Sequence, residues 1–206
     1  MRISAHFILE RILRVVLRQR NSEAELLSIT RAHLMSLVLP QMHIGMLPYA
    51  HPAVAALVWE LKYHAHPRAL RIASAVLEER MLGLCEEALG TPLLVYIPAD
   101  PKRVKTRGHN HLALVCEAIA ARMGNAIAYM PLALYKTRHT PPQQTLPRTK
   151  RLRNVHASME AAAWVKGHTC ILLDDVTTTG ATLSEGRRAL LEAGAADVVS
   201  MALAQA

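Results

Sequence analysis

Ile171-Leu172-Leu173-Asp174-Asp175-Val176-Thr177-Thr178-Thr179-Gly180-Ala181-Thr182 is the stretch whose reading decides the fold. Its apolar start, which extends back to Cys170, is too short for a buried helix and suits a strand covered on both faces. The strand ends in two adjacent carboxylates, and a short hydroxyl-rich loop then leads into a helix that Gly194 closes. Successive N–H groups of such a loop, added to a helix N-terminus, form a cradle for phosphate. Thr178, Thr179 and Thr182 add hydroxyl donors, and Gly180 lets backbone approach closely. Capping a helix needs one threonine and explains neither the acidic pair nor the run of three. The pattern GxxxxGK[ST] is absent, which excludes a nucleoside-triphosphate P-loop. Two carboxylates would repel the phosphate itself, so they read as acceptors for sugar hydroxyls or neighbours of a divalent cation.

Outward from this segment, strands alternate with helices. Leu93 to Ile97, after Pro92, is a second buried-strand candidate, and Asp197 to Leu203 is a final one. Residues 126–135 suit one or two strands. Helical periodicity runs from His51 to about Leu89 with a break at Pro67, and again from Asn110 to Met123. This alternation predicts an α/β fold with a mostly parallel sheet flanked by helices. Residues 5–20 read as an amphipathic helix, while Pro40, Gly45 and Pro48 leave 21–50 without a clear period. The expected division is an N-terminal helical or irregular region, 1–50, and a domain over 51–206.

The positive charge is localised. Residues 98–156 hold eleven Lys or Arg against two acids, whereas the rest of the chain has thirteen against fourteen. Such concentration points to a polyanionic partner, either a phosphorylated small molecule or nucleic acid. Within the window, Pro98 to Asn110 reads as a charged loop in which Lys102, Arg103, Lys105 and Arg107, with Gly108, could gather round a pyrophosphate. A solvated basic turn is an equal reading of the same residues. Arg138, His139, Thr140, Pro141, Pro142 and Gln143, followed by Leu146, Arg148, Arg151 and Asn154, read as a surface loop or as a mobile lid that excludes water.

Together these segments resemble the ComF family of competence-associated proteins, within the type I phosphoribosyltransferases. The resemblance rests on the strand with P-x-x-P-x-R-x-x-x-R-G-x-N, on R-x-T-P-P-Q with a later R-x-x-N, and on DDV-x-TTGAT. Lys62-Tyr63 is similar to a Lys-Tyr position of that family. It implies a type I phosphoribosyltransferase-like fold that binds phosphoribosyl pyrophosphate with Mg²⁺ and transfers the phosphoribosyl group to an amine or base. It implies that Thr177, Thr178, Thr179, Gly180, Ala181 and Thr182 hold the 5-phosphate and that Asp174 and Asp175 face the ribose as catalytic residues. Lys102, Arg103, Arg107 and Gly108 become the pyrophosphate loop, and Arg138, Thr140, Gln143, Arg151 and Asn154 the lid. No direct protein ligand to a metal follows.

Many members of that family begin with a four-cysteine zinc module. Cys85, Cys116 and Cys170 are scattered and form no CxxC pair, so no zinc is expected and buried thiols are the favoured reading. His109 and His111 replace the usual Phe and Gln, and Lys150 a usual acid. The two histidines are acid–base candidates on chemistry alone. Eleven histidines in the chain favour a surface or packing role instead. No apolar run is long enough to span a bilayer, and Arg2, Glu10, Arg11, Arg14, Arg18 and Arg20 interrupt the first twenty residues. No membrane insertion and a cytoplasmic address are the expectation. The competing function is a competence factor that binds single-stranded DNA. Against it, Tyr129 and Tyr135 are the only aromatic residues of the basic window. A third reading is a phosphoribosyl-pyrophosphate sensor on the same fold.

Overall fold

The central strand is the one that carries the acidic pair near its carboxyl end. In the computed structural model, which describes residues 21–39, 44–137 and 157–206, the strands are β1 (Gly45–Pro48), β2 (Leu93–Tyr96), β3 (Ala128–Tyr129), β4 (Leu134–Lys136), β5 (Met159–Ala161), β6 (Thr169–Thr177) and β7 (Asp197–Gln205). Five of them form a sheet in the order β1-β7-β6-β2-β3. Every pairing within it is parallel. Cys170, Ile171, Leu172 and Leu173 are all buried, as a strand covered on both faces requires.

The helices are α1 (residues 21–28), α2 (Arg31–Met35), α3 (Pro52–His64), α4 (Pro67–Glu87), α5 (Pro101–Arg107), α6 (His111–Met123) and α7 (Ala181–Glu192). The expected break at Pro67 is present. Pro52 and Pro67 each open a helix, preceded by His51 and His66, whose rings accept the backbone N–H two residues on. Helix α7 lies close on the sheet because Gly186 has no side chain. A Cβ there would stand 2.9 Å from both Ile97 and Leu172.

Two segments differ from the sequence reading. The expected charged loop after β2 is helix α5, because Asp100 accepts the N–H of Lys102 at 2.9 Å, Pro101 occupies the first turn and Gly108 ends it in left-handed conformation. Residues 45–48, in the stretch without a clear period, form the edge strand β1 beside β7. Leu26, Ile29 and Leu34 join the main hydrophobic core. Arg68 fixes α1 there, donating to the carbonyls of Leu26, Leu27 and Ile29.

The topology locates a crevice. From β2 the chain steps outward to β3, whereas from β6 it steps the other way to β7. The direction therefore reverses between β2 and β6, and ligands of open parallel sheets bind beyond the carboxyl ends of strands at such a point. A smaller antiparallel pair, β4 with β5, registers Lys136 opposite Met159. Its open end carries the bond from Thr137 N–H to Ser158 O at 3.0 Å.

Candidate functional site

The carboxyl ends of β2 and β6 carry α5 and the acidic pair. Successive residues of a strand point to opposite sides, and Asp174 and Asp175 separate accordingly. Asp175 is held by Lys62 of α3, Nζ to Oδ1 at 2.9 Å. It is also held by His111 at the start of α6, Nε2 to Oδ2 at 2.5 Å. The side chains of Lys62, Asp175 and His111 are 19%, 15% and 5% exposed, so water screens these pairs poorly. Asp174 accepts the N–H of Asp175 at 2.8 Å. Among the described residues its carboxylate has no side-chain hydrogen-bond partner.

The two carboxyls titrate in opposite directions. Burial and the adjacent Asp175 push Asp174 up to about 7, although the Asp175 N–H, Lys62 and Lys136 pull the other way. Burial also opposes ionisation of Asp175, yet Lys62 and the His111 ring outweigh it and hold that carboxyl well below the usual carboxylate range. Lys136, at the end of β4, is lowered by burial and by Arg103, with Asp100 and Asp174 opposing the drop. Asp174, Asp100 and Arg103 thus all act electrostatically on Lys136. Sequence reasoning missed Lys136 as a site residue, and it noticed Lys62 only as part of a Lys-Tyr resemblance.

Beyond the acids, Thr177 ends β6, with its carbonyl accepting Ala206 N–H at 2.8 Å. Gly180 is the N-cap residue of α7 at φ +74°, a left-handed conformation that favours glycine, and it offers no side chain to cap the helix. Thr179 Oγ1 accepts Ala181 N–H at 3.4 Å. Thr178 O accepts Gln205 Nε2 at 3.2 Å, which ties the loop to the end of β7. Thr177 to Thr182 therefore pass from a strand end into the first turn of a 12-residue helix, where N–H groups and the helix dipole favour an anion.

The pyrophosphate candidates lie on α5 and at its end. Lys102 and Arg103 are exposed on the first turn of α5. Arg107, at the end of that helix, holds its guanidinium 4.8 Å from the centre of the Tyr63 ring. Gly108 ends α5, its N–H donating to Val104 O at 2.8 Å. His109 sits between the carbonyls of Arg107 and Leu61, consistent with packing. For His111 the favoured surface or packing reading misses the bond to Asp175. The lid candidates Arg138, Thr140, Gln143, Arg151 and Asn154 lie outside the described residues.

Residues 113–206 match the model of the phosphoribosyl transferase domain. The chain is 30% identical over 151 residues to the DNA utilization protein YhgH of Salmonella typhi, covering 71% of this chain and 65% of that one. The corresponding protein of Escherichia coli K12 is 30% identical over 152 residues, with the same coverage. The chain therefore spans less than two thirds of the length of these relatives. Among solved structures it is similar to the Bacillus subtilis glutamine phosphoribosylpyrophosphate amidotransferase, at TM-score 0.39 and 22% identity, over 68% of this chain and 29% of that one. It is also similar to the Trypanosoma cruzi hypoxanthine phosphoribosyl transferase, at TM-score 0.41 and 10% identity, over 66% and 73%. The part of the chain that matches the phosphoribosyl transferase domain carries β3, β6, β7 and the threonine loop. Beyond that domain the chain is similar to the DNA utilization proteins over 71% of its own length.

Proposed function

We propose that the crevice binds phosphoribosyl pyrophosphate as its magnesium complex and transfers the phosphoribosyl group to an amine or base. The observation that carries this reading is the convergence at one strand end of Asp174, Asp175 and the threonine loop entering α7. In this reading the N–H groups of Thr177 to Thr182 hold the 5-phosphate. The acidic end of β6 faces the ribose, and Lys102 and Arg103 lie toward the pyrophosphate. The basic residues of 138–156 would add cations over the ligand.

A magnesium ion brought with the substrate would supply positive charge to offset part of the leaving group's charge, near Asp174 rather than on a ligand set of the protein's own. The fit is chemical: Asp174, raised to about 7 beside a second carboxylate, gains most from a ligand that brings positive charge. Reaction at the anomeric carbon breaks the bond to pyrophosphate, which leaves with the electron pair. A bond to nitrogen forms, and the acceptor nitrogen gives up a proton. Positive charge develops on the sugar ring, and the acidic pair stabilises it electrostatically.

Titration with phosphoribosyl pyrophosphate and Mg²⁺, followed by a product screen over amines and bases, tests this reading. Binding with turnover supports the transferase, binding without turnover supports a sensor, and no binding removes both.

One observation favours the alternative of single-stranded DNA. The fold brings Tyr63, 42% exposed, under Arg107 and against Trp59, beside the cations of α5. This supplies an aromatic surface that the basic window lacks in sequence. DNA binding that falls steeply with salt and with Tyr63→Ala would support it.

A further inference from the structure

We infer that Lys62 and His111 are positioning residues that divide the acidic pair, fixing Asp175 against α3 and α6 and leaving Asp174 as the carboxylate that meets the ligand. The inference rests on the phosphoribosyl reading and deepens it.

Three observations carry it. Both oxygens of Asp175 are occupied, Oδ1 by Lys62 at 2.9 Å and Oδ2 by His111 at 2.5 Å. Asp174, one residue earlier, accepts a backbone N–H and has no side-chain hydrogen-bond partner among the described residues. The His111 ring is buried with Nδ1 unpartnered. A histidine there for packing alone would be a costly choice, because an apolar ring would fill the space without an unsatisfied nitrogen. The bond to Asp175 offsets that cost. It also makes Nε2 the donor, so a neutral ring leaves Nδ1 as a bare acceptor.

The arrangement solves a problem that adjacent carboxylates pose. Two like charges in a poorly solvated crevice raise one another's pKa and lose definite orientation. The ammonium of Lys62 compensates one charge before any cation-bearing ligand arrives. The ring of His111, on a different helix, prevents Asp175 from rotating toward the ligand. The groups facing Asp174 are then Asp175, Lys62 and Lys136, with Asp100 and Arg103 acting on Lys136. Glutamine, which the sequence resemblance places at position 111, can donate the same bond.

The test is calorimetric titration of phosphoribosyl pyrophosphate with Mg²⁺ across pH, on wild type, His111→Gln, His111→Leu and Lys62→Met, each checked for folding by circular dichroism. His111→Gln should stay within about threefold of wild type, and His111→Leu should weaken binding roughly tenfold or more, the scale of a lost bond to a charged group. Lys62→Met should move the acid limb of binding to higher pH, because Asp174 then ionises with greater difficulty. A folded His111→Leu and Lys62→Met that bind like wild type, with the same pH midpoint, would overturn the inference. Should either variant fail to fold, ¹³C carboxylate titration of wild type decides. Asp174 should titrate near neutrality and Asp175 below the ordinary range, and similar midpoints would overturn the division. Wild type that binds no ligand removes the phosphoribosyl reading itself, a result distinct from normal binding by the variants.

Discussion

Glu185 of α7 accepts the backbone N–H of Ser158 through Oε1 at 2.8 Å. The same oxygen accepts Met159 N–H at 3.2 Å, and Arg188 donates to Glu185 and to Met159 O. One carboxylate, 4% exposed, thus ties the helix behind the phosphate loop to the strand that returns from the basic segment. Replacing Glu185 by Ala strands two backbone donors and should cost about 2–4 kcal/mol in urea unfolding. Burial opposes ionisation of Glu185, but Arg188 and the two N–H groups outweigh it and lower its pKa. Its stabilisation is therefore present above the unfolded carboxylate pKa and lost as pH falls through the folded value. Glu185→Gln should flatten the acid side of the stability profile and leave its slope above neutrality unchanged.

Gly180 stands at φ +74°, and a Cβ there would meet only Ile44, at an ordinary 3.7 Å. Strain in the backbone, rather than a collision, is therefore the cost of substitution. Asn adopts the left-handed region more readily than Ala, and Val least of all. Stability should fall in the order Asn, Ala, Val, with about 1 kcal/mol lost for Ala. Phosphate-ligand affinity should follow the same order, read by titration on variants shown to be folded. A Val variant with full stability and affinity would contradict the loop assignment.

At Gly45 the reverse holds, because a Cβ would lie 2.6 Å from Gln205 N and 2.7 Å from Ala204 C. Gly45→Ala must push β1 off β7, and a cost of roughly 1–3 kcal/mol is expected from such overpacking. The same shift should reach the ligand loop, since Gln205 accepts Gly45 N–H at 3.4 Å and donates to Thr178 O at 3.2 Å. Weaker ligand binding by Gln205→Ala, with β1 intact, separates the loop effect from the loss of the strand.

These positions differ in how visible they are in the chain. The four-residue run Cys170 to Leu173 announces β6, because a strand covered on both faces needs continuous apolar residues. Pro52 and Pro67 mark where α3 and α4 begin. Helix α5 also had its signal, Asp100 before Pro101, but the density of cations after it favoured a loop reading. Gly45-Met46-Leu47-Pro48 carries no strand signal of its own and is a strand because β7 lies beside it. The contacts of Asp175 are still less legible. His111 is 64 residues away, and nothing local in either segment names the other. Sequence could propose the acidic pair but not that its members face different partners.

That difference in partners predicts opposite effects from the same chemical change at adjacent positions. Asp174 is raised to about 7 by burial and by Asp175, so the folded state binds its proton more tightly than the unfolded chain does. Its ionisation then destabilises the fold, an effect absent at low pH that grows as pH rises toward and through the folded value. Asp174→Asn should therefore stabilise the protein at pH 8 by roughly 1–3 kcal/mol and change it little at pH 4, since the neutral amide resembles the protonated acid. Asp175 has the opposite linkage, because Lys62 and His111 outweigh burial and hold it ionised. Asp175→Asn leaves the partly buried Lys62 without its carboxylate and should destabilise by about 2–4 kcal/mol at pH 8, easing only in strong acid. Both variants should weaken phosphoribosyl-pyrophosphate binding. Stability gained at Asp174 and lost in affinity is the pattern of a group kept for its ligand rather than for the fold. Thermal unfolding of both variants at pH 4 and pH 8 checks the signs, and destabilisation by Asp174→Asn at pH 8 would refute the division of the pair.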